Sequence, residues 1–175
     1  IISHAHMDHV SYVHHIRSDI EIILSPGSHA ILSSLQESGR SGWQDYLTVT
    51  PSFMIKEKTR GDGYTKVTSR DGVINRPLRV LESGEKHQIG DLEIIPYAVD
   101  HSLPGATAYL IHTSEGTILY TGDFRFHGYF GHKTSEMVEA VSSERIDIVI
   151  TEGTRINEDT GTSEQDVYDQ AKEII

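Results

Sequence analysis

The sequence has no cysteine. That excludes disulfide staples and thiolate metal sites, so any metal must be held by His, Asp or Glu. It also fits a reducing compartment, and the expected location is cytoplasmic. Long apolar runs are missing as well. None approaches the ~20 residues needed to span a bilayer, and no signal-peptide pattern opens the chain, so no membrane partner is expected. Basic residues are scarce: 15 Lys and Arg stand against 26 Asp and Glu, a net charge of −11. A surface that coats nucleic acid needs clustered Lys and Arg, and this balance argues against one. It leaves room for a nuclease active site, because carboxylates that hold divalent cations add negative charge that the ions partly cancel.

Histidine is what the chain does have. Ile1-Ile2-Ser3-His4-Ala5-His6-Met7-Asp8-His9 places three imidazoles and a carboxylate within six positions. The plainer reading is a histidine-rich surface loop or a purification tag, but a tag would be a homopolymer. Imidazole and carboxylate donors suit zinc or another borderline transition metal. In extended chain His4 and His6 point to the same side, since side-chain direction repeats every two residues. A turn into helix then swings Asp8 and His9 to a neighbouring point, so one short segment can serve two adjacent metal positions.

With 175 residues, 37% hydrophobic and 23% charged, the chain has the size and composition of one globular domain. It opens on what reads as the last residues of a strand and closes in an unfinished helical pattern, so the expectation is a piece of something longer. Val10, Val13 and Ile16 predict a helix after the motif, with His14 and His15 facing solvent. Ile20 to Leu24 reads as a strand, and Ser25-Pro26 starts a helix that runs through Leu35 to near Gly39, with His29 exposed. Residues 39–77 are weakly patterned: short strands at Leu47 to Thr50, Phe53 to Lys56 and Tyr64 to Thr68, with Trp43 expected to pack beneath them. From Leu78 onward strands dominate. One hairpin joins Lys86 to Ile89 with Leu92 to Val99, and a second joins Ala106 to Thr113 with Thr117 to Thr121. His87 and His112 fall within these strands and are expected to face solvent. A helix at Glu136 to Ser142 and a strand at Ile146 to Ile150 follow. A capping box at Thr162 to Asp166 then opens a last helix.

Three further polar residues close strands, where loops can project side chains into one cleft: His101, Asp123 and Glu152. Singly each has a dull explanation as a turn, cap or solvated group. In their order after the opening motif, they match a family. The chain resembles the metallo-β-lactamase superfamily, specifically its β-CASP branch of RNA and DNA nucleases, which holds ribonuclease J-like and messenger-RNA 3′-processing enzymes. His4-Ala5-His6-Met7-Asp8-His9 is similar to the H-x-H-x-D-H motif. Asp100-His101-Ser102-Leu103-Pro104-Gly105 is similar to the single-histidine motif, and Tyr120-Thr121-Gly122-Asp123-Phe124-Arg125 to the bridging-aspartate motif. Thr151-Glu152-Gly153-Thr154 resembles the acidic motif that opens the β-CASP portion.

The resemblance implies an α/β fold, the αββα sandwich of the metallo-β-lactamases, incomplete at both ends. Residues 1–155 would be the partial core without its first strands, and 156–175 the start of the β-CASP domain. It implies two zinc ions, His4, His6 and His101 holding one, Asp8 and His9 the other, and Asp123 bridging both. The second site is expected to take another histidine from beyond residue 175. Asp8, Asp123 and Glu152 are the implied catalytic residues, with Glu152 orienting an imidazole ligand or handling a proton. The implied activity is zinc-dependent phosphodiester hydrolysis by a metal-bridging hydroxide, as a ribonuclease. RNA or other nucleic acid would be held mostly by regions outside this chain, and homo-oligomers stay open. On this reading residues 1–175 alone are expected to be weak or inactive. Two alternatives remain: a two-metal hydrolase of a thioester, lactone or small phosphodiester, and a non-catalytic metal-binding scaffold. His127 and His132 receive no role, and RNA against DNA and exo- against endonucleolytic cleavage are not decided.

Overall fold

A computed structural model describes residues 1–38, 45–49, 54–67, 73–154 and 162–174. Trp43, Gly39, Phe53, Thr68 and the expected boundary near residue 155 lie outside these. In chain order the elements are α1 (Met7–Val10), β1 (Ile22–Leu24), α2 (Pro26–Ser38), β2 (Thr48–Val49), β3 (Met54–Glu57) and β4 (Tyr64–Val67). β5 (Ile74–Asn75), β6 (Leu78–Val80), β7 (His87–Ile89), β8 (Leu92–Ala98), β9 (Thr107–His112) and β10 (Thr117–Tyr120) follow. α3 (Gly131–Val141), β11 (Ile148–Ile150) and α4 (Glu164–Ile174) complete the set.

Three apolar clusters define the layers. Leu32 of α2 packs with Ile22 and Leu24 of β1 and with Ile2, Ala5, Val10 and Val13. Ile23, on the opposite face of β1, meets Ile94 of β8, Tyr109 of β9 and Leu81. The far face of the large sheet, through Ile95, Ala108, Leu110 and Leu119, packs on Met137 and Val141 of α3. Alternation along the strands therefore sends neighbouring residues into different cores. The order is helix, small sheet, large sheet, helix. The small sheet is the parallel pair β1–β6, and the large one runs β11-β10-β9-β8-β7. This is the expected αββα layering. A fully buried leucine such as Leu32 contributes about 2 kcal/mol by leaving water.

Both predicted hairpins form, with antiparallel β7–β8 and β9–β10. β11 returns parallel to β10. β2 pairs antiparallel with β5, and β3 with β4. The capping box is realised, Ser163 Oγ accepting the Asp166 N–H and Asp166 Oδ2 accepting the Ser163 N–H.

Three expectations need correcting. The helix through Val10, Val13 and Ile16 is one α turn followed by a separate 3-10 turn at Val13–His15. That break still buries Val10 and Val13 while leaving Tyr12 77% exposed, so helical spacing of the apolar residues did not require a continuous helix. His15 is exposed, but His14 is half-buried, and its Nδ1 is buried with no hydrogen-bond partner among the described residues. His29, His87 and His112 are likewise half-buried. Finally, α3 begins five residues before Glu136, because its first turn is fixed by polar contacts rather than an apolar stripe.

Candidate metal centre

The opening segment is extended and buried. The Ile2 N–H donates to Ile23 O at 2.8 Å, and the Thr107 N–H to Ser3 O at 3.0 Å, so the segment is held by β1 on one side and β9 on the other. His6 keeps extended backbone (φ −67°, ψ 148°), and α1 starts at Met7. His4 and His6 thus share one side, and the helical turn carries Asp8 and His9 around to a second position, as their spacing predicts.

His101 follows β8 on a loop fixed at both ends. At one end Asp100, 1% exposed, accepts from Arg125 Nε at 3.0 Å, and its N–H donates to Thr134 Oγ1 at 2.9 Å. Arg125 Nη2 also donates to the His101 carbonyl at 3.2 Å. At the other end Gly105 has φ +87°, and a Cβ there would fall 2.6 Å from Ser28 N. Glycine is required for that close approach to α2. Ser25 Oγ donates to Gly105 O at 2.6 Å and Ser28 Oγ at 3.1 Å. Asp123 follows β10 after Gly122, whose φ of +57° turns the chain over Ser3.

These loops bring four imidazoles and a carboxylate together. His4 Nε2 lies 2.9 Å from His6 Nδ1, and His101 Nε2 lies 3.1 Å from the same atom. Tetrahedral nitrogen ligands at zinc distances stand about 3.3 Å apart. His4, His6 and His101 therefore form a group that could hold a metal ion, and His4, His9 and Asp123 form another. Asp123 faces both: Oδ2 is 3.9 Å from His4 Nε2 and 3.7 Å from His101 Nε2, while Oδ1 is 3.3 Å from His9 Nε2. Asp8 stands at the rim, its side chain 78% exposed, with Oδ2 3.6 Å from His9 Nε2.

Burial sets the protonation. His4 is fully buried, and loss of solvent pushes its pKa down to about 3, helped by His9, His101 and His6 around it. Burial also lowers His101, against the opposing pull of Asp123. Both are neutral imidazoles near pH 7, the form that binds metal. The donors are all nitrogen and oxygen, which fits zinc or a similar divalent cation and excludes a thiolate-type site.

Glu152 lies near enough to His101 for its charge to act on that imidazole. Among the described residues no hydrogen bond joins it to an imidazole. Its Oε1 instead accepts the N–H of Phe124 at 3.2 Å, next to Asp123, and Oε2 that of Thr154 at 3.4 Å. It braces the loop that carries Asp123. His87 and His112 lie in the large sheet beside Glu85 and Glu93, each 3.9 Å away, and belong to neither ligand group. His127 and His132 are exposed. Sequence reasoning missed Ser3, whose hydroxyl touches two of the imidazoles, and the Asp100–Arg125 pair beneath His101. An acid and a base flanking two strand-end motifs were the only signal for that pair.

Fold and site together define a metallo-β-lactamase-type α/β sandwich with a histidine-rich centre. The comparisons with known proteins agree. A metallo-β-lactamase of Cronobacter sakazakii with a HARLDQ motif superposes with a TM-score of 0.51 at 14% identity, covering 98% of this chain and 60% of that one. A protein of unknown function from Enterococcus faecalis superposes with a TM-score of 0.70 at 24% identity, covering 99% and 37%. In sequence, Ribonuclease J of Pyrococcus abyssi is 28% identical over 118 residues, 65% of this chain and 25% of the relative. The 5′ exonuclease Apollo of Gallus gallus is 33% identical over 82 residues, 47% of this chain and 17% of the relative. No family model matches. The chain has the metallo-β-lactamase fold, and part of its sequence is similar to relatives named as a ribonuclease J and a 5′ exonuclease. It spans a quarter or less of the length of these curated relatives. Among the described residues no helix is long and apolar enough to cross a membrane.

Proposed function

We propose that the chain carries the metal-holding part of a zinc-dependent nuclease that hydrolyses phosphodiester bonds of RNA. One observation carries the reading: four imidazoles and the two oxygens of one carboxylate converge, from three separate segments, on two adjacent ligand groups. The relatives named as a ribonuclease and a 5′ exonuclease support the substrate class.

On this reading His4, His6 and His101 hold one cation, and His9, Asp8 and Asp123 hold the other, with Asp123 shared. When bound, two divalent cations polarise a phosphoryl oxygen, lower the pKa of water and neutralise charge on the leaving oxygen. The protein residues supply placement and charge. His4 and His101 stay neutral through burial and present lone pairs. Asp123 keeps one oxygen toward each group, and Glu152 fixes the Phe124 backbone so that it does. Asp8, at the exposed rim, is the ligand nearest to incoming substrate and water.

The test is cleavage of labelled single-stranded RNA by the full-length protein, with metal content measured in parallel. Zinc-dependent cleavage that Asp123→Ala abolishes is the expected result. Hydrolysis of a thioester, lactone or small phosphodiester with RNA left intact would overturn the substrate assignment. Metal uptake without hydrolysis of any of these would favour the scaffold.

A further inference from the structure

We propose that Ser3 is a positioning residue for both ligand groups at once, its hydroxyl fixing the tautomer and aim of His4 and His9 together. The inference rests on the two-cation reading above.

Ser3 is 1% exposed. Its Oγ lies 3.1 Å from His4 Nδ1, 3.2 Å from His9 Nδ1 and 3.3 Å from the Tyr120 hydroxyl. These are the ring nitrogens on the side away from Asp123, whose oxygens stand 3.9 Å and 3.3 Å from the two Nε2 atoms. An imidazole that offers Nε2 to a cation as a neutral ligand keeps its proton on Nδ1. A serine hydroxyl has two lone pairs and one proton. Two Nδ1–H donors use both lone pairs, so on this proposal the Ser3 hydroxyl, which is free to rotate, supplies the proton of its 3.3 Å contact with the Tyr120 hydroxyl in place of Tyr120. Every valence is used once.

The alternative arrangement breaks the site. If Ser3 donates to one imidazole, that ring carries its lone pair on Nδ1 and its proton on Nε2, facing Asp123, and it cannot be a ligand there. The hydroxyl is also confined. A Cβ on Gly122 would fall 2.6 Å from Ser3 Cβ and 3.0 Å from Oγ, and the Ser3 carbonyl is tied to Thr107 N–H. Removing the hydroxyl therefore leaves one orphaned Nδ1–H in each group, and both groups loosen from a single change.

The experiment is a Co(II) titration of the full-length protein, followed by visible absorption, for wild type, Ser3→Ala, Ser3→Thr and Tyr120→Phe. The fold of each metal-free variant is checked by circular dichroism. Loss of this kind of outer partner weakens metal binding roughly 10- to 100-fold. Ser3→Ala is expected to weaken both equivalents by at least about tenfold and to alter both absorption bands, and Ser3→Thr to restore them. Tyr120→Phe, which keeps the shape and removes the acceptor of the hydroxyl proton, is expected to weaken both about threefold; it carries the test if Ser3→Ala does not fold. Wild-type affinity for both equivalents in Ser3→Ala, or in Tyr120→Phe where only that variant folds, would overturn the inference. Weakening of one equivalent alone would also overturn it. A wild-type protein that takes up no cation would take down the two-cation reading and this inference with it, and so separates the two failures.

Discussion

The two ligand groups of the centre are built to different degrees. His4, His6 and His101 converge through nitrogen contacts of 2.9 and 3.1 Å at His6 Nδ1, with His4 fully buried, and their loops are tied to β1, β9, α2 and α3. The second group as proposed, His9, Asp8 and Asp123, comes from one helical turn and one strand end. Their spacing is looser, 3.3 and 3.6 Å, and Asp8 stands largely in solvent. Burial keeps His4 and His101 of the first group neutral, and their Nε2 atoms both stand against His6 Nδ1. Exposure leaves the second with charge and room. On the proposed two-cation reading, holding a cation is thus separated from admitting a substrate, and Asp123 is common to both tasks.

The difference can be broken by mutation. The largest effect is expected from His101→Ala, which deletes a donor from the buried group and should abolish the tighter cation equivalent in a calorimetric titration. Arg125→Met is next. It strands Asp100 as an uncompensated buried carboxylate and frees the His101 carbonyl, and breaking such a pair costs about 3 kcal/mol. Chemical denaturation should read that loss.

The pH dependence sharpens the same contrast. In metal-free protein His4 binds its proton only near pH 3, whereas in the unfolded chain it does so near 6.5. Between those values the unfolded state binds more protons, so stability rises with pH and is fully present above about 6.5. Lowering the pH from about 7 to about 5 should remove roughly 2 kcal/mol, and His4→Gln should flatten that slope. Asp8→Ala is the mildest change. It should weaken the second equivalent about tenfold and leave the first alone. Loss of the first equivalent in Asp8→Ala would contradict the division between the groups.

Much of this was legible before the structure. Alternation placed His4 and His6 together, and the strand ends placed His101 and Asp123. The layers were expected only from the family that the four motifs resemble. What was not legible depends on contacts distant in sequence. Ser3 reads as an ordinary polar residue until β10 brings Tyr120 and Gly122 against it. The start of α3 was hidden because Thr134, its inward-facing residue, is polar and binds Asp100 N–H and Arg125 O instead of joining an apolar stripe. Glu152 was found by its place at a strand end, but its partner, a backbone N–H, leaves no mark in a sequence.

A zinc titration of the full-length protein by calorimetry tests the central claim most directly. The account predicts two equivalents per chain in two resolved steps, the tighter one lost in His101→Ala and both lost in Asp123→Ala. A protein that binds no zinc with every one of these donors present, or a single equivalent indifferent to Asp123, would contradict it.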